Sequence, residues 1–318
     1  MILVCGEALI DLLVGHPSGA GLSSDAVPGG SPFNVAIGIA RLGGSAGFLA
    51  KLSDDFFGQL LRQRLAAAGV DTSFVVPSAL PTTLSVVVTA PDGQPHYAFY
   101  GEGAADRALQ PSELPAILPD AVTAIAVGSY TLAVDPTATA IAQLVARESL
   151  RRTISIDPNL RPRVIGDVTA WRPRFERLLG HSAIAKASVE DLDHLYGRGA
   201  DLHAVASDWL ARGPQLVVFT RGEHGAIVFR GAEILERPGR TVDVIDTVGA
   251  GDTFHAALLV ALDQQRLLKP DAIEAAPLAA IARAVDFAIM ASSITCSRRG
   301  ADLPTRDDVE SVMRGSDG

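Results

Sequence analysis

The sequence predicts an α/β protein, in which helices cover a mostly parallel sheet and a small β segment departs from it. Two observations lead to this fold class. Short apolar runs alternate with longer segments of helical periodicity along most of the 318 residues, as in proteins built from strand–helix–strand units. In Thr83–Tyr100, two β-rich runs flank Pro91–Pro95 in the manner of a hairpin. A hairpin among alternating strands and helices indicates an excursion from the main sheet.

The composition is that of a soluble globular protein and argues against several classes of partner. Hydrophobic residues make up 48 % of the chain and charged residues 20 %, and a chain of this length can form one large domain or two ordinary ones. The net charge of −9 disfavours nucleic acids and anionic membranes, because phosphate groups are bound by excess cationic side chains. No apolar run approaches the roughly 18 residues that a membrane span requires.

The cysteines and the N-terminus indicate the cytoplasm. Cys5 and Cys296 are far apart in the sequence and form no metal or redox motif, and two cysteines do not suggest a disulfide framework. Glu7 and Asp11 occur early, and no basic segment precedes an apolar run, so no signal peptide is expected.

The N-terminal region begins with a strand that is followed by polar residues. Met1–Cys5 is a short apolar run ending at a glycine, which is typical of a buried parallel strand. Asp11 then lies near the sheet edge where open α/β sheets bind ligands, although a surface turn residue is the alternative. Residues 12–28 are rich in Gly, Ser and Pro and are predicted to be irregular. Gly29-Gly30 precedes a helix with Asn34 in its first turn.

Residues Gly43–Gly47 match the G-x-S-x-G pattern of serine hydrolases. That chemistry needs a strand before the serine and a helix after it. Here a helix precedes Ser45 and the apolar run Gly47–Leu52 follows as a strand. A hydrolase is therefore the least favoured function, and it would require an esterase activity that depends on Ser45.

The remainder of the chain continues the alternation of strands and helices. The predicted helices are Phe56–Ala68, Pro136–Leu150 and Ala275–Ser293. The predicted strands, besides those of the hairpin, are Ala121–Val127, Thr153–Ile156, Leu216–Thr220 and Ala226–Phe229.

The stretch Asp246–Leu259 carries the clearest chemical signal. The β run Val242–Ile245 leads into it, which predicts a strand, a tight turn and a helix. Gly249 and Gly251 permit backbone conformations that aim several N–H groups at one spot, and the helix start adds unpaired donors and a positive dipole end. This predicts an anion site. Asp252 within it either caps the helix or acts as a general base beside a phosphate, as phosphoryl transfer to an alcohol requires.

Two segments carry a family resemblance. Asp246-Thr247-x-Gly249-Ala250-Gly251-Asp252 resembles the second signature of the ribokinase-like (phosphofructokinase-B) sugar kinases, and Gly29-Gly30-x-x-x-Asn34-x-Ala36 resembles the first. The similarity extends from Gly6 to Pro304. It implies one ribokinase-like three-layer α/β/α sandwich over residues 1–318, with a small β-sheet lid at about 12–28 and 83–103.

The resemblance also implies roles for individual residues. Asp252 takes the proton from the sugar hydroxyl, and the amides of Gly249, Ala250, Gly251 and Asp252 form an anion hole for the transferring phosphoryl group. The sugar is expected to contact Asp11, Gly29, Gly30, Asn34, Tyr100 and Arg161, although a surface arginine is the alternative for Arg161. ATP is expected to contact Ser188, Thr220, Arg221, Gly222, Gly225 and Gly251. Asp191 is assigned to hydrated Mg²⁺, and Asp246 and Val248, with the Thr295–Pro304 loop, to a potassium-like ion.

The chain departs from the family pattern at two places. Many relatives have Asn-x-x-Glu where this chain has Ser188 and Asp191, which weakens the metal assignment. Many relatives also have Arg at the position of Gly101. The loss of that cation weakens the case for an acidic sugar as substrate.

The predicted function is the phosphorylation of a sugar hydroxyl by ATP, with Mg²⁺ and possible dependence on K⁺. Gly6–Asp11, Gly103–Asp106 and Asp157–Arg161 are most similar to bacterial fructokinases, which implies conversion of fructose to fructose 6-phosphate. The alternatives are a 2-keto-3-deoxygluconate kinase, a ribokinase or nucleoside kinase, and a catalytically silent sugar-binding protein of the same fold. A homodimer formed through the lids is also expected from the resemblance.

Overall fold

The computed structural model describes residues 1–18, 21–89 and 95–316. The two predicted lid segments include residues 19–20 and 90–94, which lie outside the described residues.

The strands are numbered in chain order. They are β1 (Ile2–Cys5), β2 (Leu9–Ser18), β3 (Gly21–Gly29), β4 (Ala46–Leu49), β5 (Lys51–Ser53), β6 (Val76–Ser78), β7 (Leu84–Thr89), β8 (Pro95–Tyr100), β9 (Ala124–Gly128), β10 (Thr153–Asp157), β11 (Ile184–Ser188), β12 (Leu216–Thr220), β13 (Ala226–Arg230) and β14 (Glu233–Arg237).

The helices are numbered in the same way. They are α1 (Ser31–Arg41), α2 (Phe56–Ala67), α3 (Thr137–Glu148), α4 (Pro162–Ile165), α5 (Val168–Leu179), α6 (Val189–Tyr196), α7 (Leu202–Arg212), α8 (Ala250–Gln264), α9 (Ala272–Ala275), α10 (Leu278–Cys296) and α11 (Arg306–Ser316).

The main sheet has the strand order β14-β13-β12-β11-β10-β9-β1-β4. The six strands from β12 to β4 pair in parallel, whereas β13 and β14 complete one edge in antiparallel pairs. The parallel strands are short and almost completely buried, because helices cover both faces of such a sheet. Their carboxyl ends therefore form one polar edge, at which loops can present ligand-binding residues.

Two hydrophobic clusters, one on each face, make the molecule a three-layer α/β/α sandwich. Alternate residues of β1 point in opposite directions: Ile2 and Val4 belong to one cluster, whereas Leu3 and Cys5 belong to the other. The first cluster is completed by α1, α2, α8 and α10, and the second by α3, α5, α6 and α7. This architecture confirms the α/β/α fold class.

A second sheet of four strands, in the order β3-β2-β7-β8, stands apart from the main sheet. We call it the lid sheet. β2 pairs with β3 and β7 with β8 in antiparallel fashion, whereas β2 and β7 run parallel. The pairing of β7 with β8 confirms the excursion predicted at Thr83–Tyr100.

Two local predictions are wrong. Residues 12–28 were expected to be irregular, but their described part forms strand pairs of β2 with β3. The run Val242–Ile245 was expected to be a strand, yet it lies outside the sheets. Val244 and Ile245 are largely exposed, so their β propensity is not accompanied by a partner strand or by burial.

The prediction about membrane-spanning length is also wrong. Among the described residues, α10 is long and apolar enough to cross a membrane, with 19 residues and a mean hydropathy of 1.5. However, 61 % of it is buried within the fold, and it lies against α8 in the first hydrophobic cluster. This burial explains its composition as that of a core helix.

Candidate active site

Polar residues collect where the parallel strands of the main sheet end. Asp157 is the last residue of β10, Ser188 of β11 and Thr220 of β12, and Ser188 and Thr220 are paired neighbours. The amino end of α8 arrives at the same edge, where Asp252 contacts Asn159 from the loop after β10. The strand ends and the helix start therefore define one candidate site.

The first turn of α8 presents unpaired amides. Gly249 has φ 78° and precedes the helix, and a Cβ on it would lie 2.8 Å from the Ala301 Cβ, so only glycine fits this turn. Of the amides assigned to the anion hole, that of Ala250 already donates to the Thr247 carbonyl at 3.2 Å. Within the described residues, those of Gly249, Gly251 and Asp252 donate no hydrogen bond. These three can receive an anion at the positive end of the helix.

Asp252 is buried beside these amides, with 7 % of its surface exposed. Its Oδ1 accepts hydrogen bonds from Ser31 Oγ at 2.6 Å and from Asn159 Nδ2 at 3.3 Å, and its Oδ2 accepts one from Asn34 Nδ2 at 2.8 Å. No helix amide donates to this carboxylate, so the alternative that Asp252 merely caps α8 is wrong. Side chains from two other parts of the chain hold it instead.

Burial raises the pKa of Asp252, because a carboxylate loses hydration inside the protein. The hydrogen bonds from Ser31 and Asn34 oppose this effect, as do the positive charges of Arg161 and Lys186. Burial therefore increases the affinity of this carboxylate for a proton. The hydrogen-bond donors around it still favour the ionised form. These are the properties of a general base.

A buried ion pair lies beneath Asp252. Lys186 Nζ is 2.7 Å from Asp157 Oδ2, and both side chains are almost fully buried. His255 lies one turn after Asp252, with Nδ1 3.9 Å from Asp157 Oδ2 and Nε2 2.7 Å from Ser155 Oγ. Burial and the charge of Lys186 lower the pKa of His255 to about 3, which makes this imidazole neutral at physiological pH.

Asp11 lies on β2 of the lid sheet, close enough to Arg161 for their charges to interact. Asp11 is in register with Ser85 of β7 and Val27 of β3. Burial raises the pKa of its carboxyl group, whereas a hydrogen bond from Ser85 and the charge of Arg161 lower it. A Cβ on Gly29 would lie 2.5 Å from Asp11 Oδ2. Glycine at this position therefore keeps the carboxylate in place.

Gly30 and Arg161 also belong to this side of the site. Gly30 has φ 107°, and a Cβ on it would lie 3.0 Å from the Glu7 carbonyl oxygen. Arg161 is exposed, and its positive charge acts on both Asp11 and Asp252. Its guanidinium is therefore close to both ends of the predicted sugar site.

Tyr100 is the predicted sugar contact that the structure does not bring to this face. It pairs with Leu84, whereas Phe99 pairs with Ser85 in the row of Asp11. Since neighbouring residues of a strand point to opposite faces, Phe99 shares the face of Asp11 and Tyr100 does not. Tyr100 is also 64 % exposed.

The predicted nucleotide residues cluster around the ends of β11 and β12. Ser188 and Asp191 form a capping box at the start of α6. Asp191 Oδ1 accepts a hydrogen bond from the Leu160 amide at 2.7 Å, and its Oδ2 accepts bonds from the Ser188 amide and hydroxyl. Both carboxylate oxygens of Asp191 thus accept hydrogen bonds from the protein itself.

The turn after β12 follows Thr220 and extends to Gly225. The Arg221 amide donates to the Gly225 carbonyl at 2.7 Å, and its side chain pairs with Glu236 at 3.0 Å. Gly222 and Gly225 have φ values of 57° and 80°. Glycine is needed at residue 225, where a Cβ would lie 2.1 Å from the Arg237 carbonyl oxygen.

Asp246 joins the two loops assigned to the monovalent ion. Its Oδ1 accepts a hydrogen bond from the Val248 amide at 3.0 Å, and its Oδ2 accepts one from the Gly300 amide at 2.9 Å. The Ile245 amide donates to the Cys296 carbonyl at 2.8 Å. Among the described residues, no cluster of three or more His, Cys, Asp or Glu side chains could hold a metal ion, so a cation here would rely on backbone carbonyls.

Sequence reasoning missed several residues of this site. Ser31, Asn159 and Lys186 all lie within segments that were singled out, but no role was given to them. Their signal was present, because Ser31 lies between the two glycines and Asn34, and Asn159 between Asp157 and Arg161. By contrast, Ser45 precedes β4 and lies at the amino ends of the strands, away from this cluster.

Known proteins with related sequences and structures agree on one family. The profile of the pfkB family carbohydrate kinases matches residues 1–308. The chain is 39 % identical to the fructokinase of Rhizobium leguminosarum bv. trifolii over 84 % of this chain and 81 % of that protein.

Solved structures agree as well. The fructokinase of Xylella fastidiosa with bound ATP superposes with a TM-score of 0.89 at 28 % identity, covering 100 % of this chain and 99 % of the other. A double mutant of the Vibrio cholerae fructokinase with fructose, ADP and potassium bound superposes with a TM-score of 0.82 at 27 % identity. The match covers 98 % of this chain and 97 % of the other. With its ribokinase-like fold and both signatures at one site, the chain belongs to the pfkB family of carbohydrate kinases.

Proposed function

We propose that this protein transfers the γ-phosphoryl group of ATP to a hydroxyl of fructose and forms fructose 6-phosphate. The observation that carries the proposal is the buried carboxylate of Asp252 beside the unpaired amides of α8. A protein that only binds sugar has no use for a base next to an anion site. The similarity to fructokinases of several organisms supports fructose as the acceptor.

In the proposed reaction Asp252 accepts the proton of the attacking hydroxyl. The sugar oxygen then forms a bond to the γ-phosphorus while the bond to the β,γ-bridging oxygen breaks and ADP leaves. The amides of Gly249, Gly251 and Asp252 bind the transferring group. Because phosphoryl transfer has a loose transition state, positioning and charge stabilisation outweigh base strength.

The substrate is held from two sides. Asp11 and Arg161 on the lid side, together with Gly29 and Gly30, bind the sugar hydroxyls. Asn34 donates to Asp252 and so orients the base, and its position next to the glycines lets it reach the sugar as well. Tyr100 remains a predicted contact, although Phe99 and not Tyr100 shares the face of Asp11.

ATP would lie along the turn Thr220–Gly225 and the end of β11. Mg²⁺ would supply charge neutralisation at the phosphates, and Asp191 would contact it through water. The loops joined by Asp246 offer carbonyl groups, including that of Val248, to a potassium ion, which is the ion bound in the Vibrio cholerae fructokinase.

The test is release of ADP from Mg-ATP with fructose, 2-keto-3-deoxygluconate, ribose or adenosine. We expect turnover with fructose, and a loss of about three orders of magnitude in kcat for Asp252→Asn. Asp263→Asn, at the other end of α8, is the matched control and should keep full activity. Turnover of none of the four acceptors would contradict the proposal and favour a non-catalytic binding protein.

A 2-keto-3-deoxygluconate kinase is the second candidate, because the exposed guanidinium of Arg161 beside Asp11 and Asp252 could bind a carboxylate. Preference for the keto-acid in the same assay would retain the mechanism and replace the substrate. Ribose or adenosine turnover would indicate a ribokinase or nucleoside kinase.

We also propose that residues 1–318 form one kinase domain that works in the cytoplasm as a homodimer. The described free cysteines, Cys5 and Cys296, are consistent with a reducing compartment. The lid sheet exposes large apolar side chains, which suits a contact between two copies; they are Leu13, Leu22, Val27, Val88 and Tyr100. Light scattering should give twice the monomer mass, and a monomer would contradict this assembly.

A further inference from the structure

Lys186 is a buried cation to which the proposed reaction assigns no contact with a substrate. Only 3 % of its surface is exposed, and its ammonium carries three N–H donors. Within the described residues it has one hydrogen-bond acceptor, Asp157 Oδ2 at 2.7 Å. Since buried donors are nearly always satisfied, the two remaining donors are available to an acceptor that enters the site.

The position of the ammonium identifies that acceptor. A Cβ on Gly251 would lie 3.4 Å from Lys186 Nζ, and outside the adjoining residues and the backbone of α8 no other described atom would lie within 4 Å. The ammonium therefore faces the residue whose unpaired amide lies in the middle of the anion site. A group bound by that amide would lie within reach of Lys186, and the glycine leaves the path between them open.

The charge of Lys186 is maintained at neutral pH. Burial lowers the pKa of its ammonium, but Asp157, Asp191 and Asp252 surround it and together raise the pKa above its ordinary value. Lys186 is thus a permanent cation rather than a proton carrier. It compensates for the repulsion between the Asp252 carboxylate and an incoming phosphate.

We propose that Lys186 is a further catalytic residue, which hydrogen bonds an oxygen of the transferring phosphoryl group, and that Asp157 is the positioning residue holding its ammonium. This inference rests on the proposed function as a kinase. Lys186 keeps its proton throughout, and its contribution grows as negative charge accumulates on the phosphoryl oxygens in the transition state.

The test compares ATP with ADP, which differ by the γ-phosphoryl group. Calorimetric titration with Mg-ATP and Mg-ADP is performed without sugar on the wild type, on Lys186→Met and on Lys51→Met. The last variant removes a lysine that also pairs with a carboxylate, Glu113 at 2.6 Å, but lies outside the site. We expect Lys186→Met to weaken the binding of ATP at least tenfold and the binding of ADP less than threefold. Lys51→Met should change neither affinity.

Kinetics provide the second measurement. Lys186→Met should lower kcat about a hundredfold or more, as removal of a transition-state donor does, while the KM for the sugar changes less than threefold. In Asp157→Asn, the ratio of ATP affinity to ADP affinity should lie between the ratios of the wild type and of Lys186→Met. The affinity for ADP should not change. An Asp157→Asn variant with the wild-type preference would overturn its positioning role.

Loss of the lysine alone leaves Asp157 buried and unpaired, which can prevent folding. In that case the double variant Lys186→Met/Asp157→Asn, which removes both charges, takes its place. Equal weakening of ATP and ADP, or a kcat within threefold of wild type, would overturn the role of Lys186. If the wild type turns over no sugar, the proposed function fails, but the comparison of ATP with ADP still decides whether Lys186 binds the γ-phosphoryl group.

Discussion

At the scale of single residues, the surroundings of Asp252 decide its chemistry. Burial alone would protonate a carboxylate, and an anion bound nearby would favour protonation further. Ser31, Asn34 and Asn159 donate to its two oxygens, and Lys186 adds positive charge. The balance keeps a base available in a site that also binds phosphate.

Removal of one donor should therefore change the pH dependence of the reaction. Burial raises the pKa of Asp252, and the Ser31 hydroxyl is the largest opposing influence. In Ser31→Ala the pKa should rise further, so the acidic limb of the kcat/KM profile should move to higher pH, with about a tenfold loss or less at the plateau. Ser45→Ala, on the opposite edge, is the control. An unshifted limb would show that Asp252 is not the titrating base.

Glu7 provides a second residue-scale prediction, on stability. Burial raises the pKa of Glu7 to about 7 from 4.5, opposed by hydrogen bonds from Ser129 and Thr131. Since the folded state holds this proton more tightly than the unfolded state, the stabilisation is complete below about pH 4.5 and is lost as the pH rises through 7.

The variant Glu7→Gln should lack this pH dependence. Relative to it, the free energy of unfolding of the wild type should fall by about 3 kcal/mol between pH 4.5 and pH 8, at 1.36 kcal/mol per pKa unit. Urea denaturation at a series of pH values measures the difference, with exposed Glu102→Gln as the control. Parallel curves for wild type and Glu7→Gln would refute the prediction.

At the scale of elements, the first and last residues of β3, Gly21 and Gly29, have different surroundings. A Cβ on Gly29 would collide with the Asp11 carboxylate, whereas one on Gly21 of the same strand has nothing within 4 Å. Gly29→Ala should displace Asp11 and raise the KM for the sugar about tenfold, the equivalent of one hydrogen bond to a charged group. Gly21→Ala should leave KM unchanged. Steady-state kinetics test the pair, and equal KM values would argue against Asp11 as a sugar ligand.

At the scale of the whole molecule, the lid sheet touches the main body through contacts of β2 and β3 with α2 and through the residues beside Asp106. Thr83 donates to Asp106 Oδ1 at 2.5 Å, and Tyr130 donates to Oδ2, so a buried polar cluster anchors the base of β7. Strand β3 of the lid sheet is exposed over most of its length. We therefore expect the lid sheet to move on a fixed base when the site is filled.

Hydrogen exchange should report this closure. Amides of residues 84–89 should exchange at least several times more slowly when sugar and Mg-ADP are added, because closure shields them from water. Peptides from α7, on the far face, serve as the internal control. Identical exchange of residues 84–89 with and without ligands would mean that the lid sheet does not close.

The sequence determined those features that depend on local patterns. Short apolar runs indicate buried strands, and the glycines at 249 and 251 indicate a turn with special backbone freedom, so the α/β class and an anion turn beside Asp252 could be predicted from pattern and spacing. The three-layer sandwich and the role of Asp252 as a base were implied by the family resemblance. The strands within 12–28 were implied only by the family resemblance and not by the local pattern, because β3 is exposed over most of its length. A strand without a buried face has no hydrophobic alternation to reveal it.

The tertiary structure alone decided which distant residues meet. Ser31 donates to Asp252 across 221 positions and Lys186 to Asp157 across 29. It also placed Phe99 rather than Tyr100 on the face of Asp11, and it left the strand-like run Val242–Ile245 unpaired. Contacts of this kind depend on how strands order in a sheet and how helices pack over it, which no short segment encodes. The sequence therefore specified the chemical groups of this kinase, and folding specified their partners.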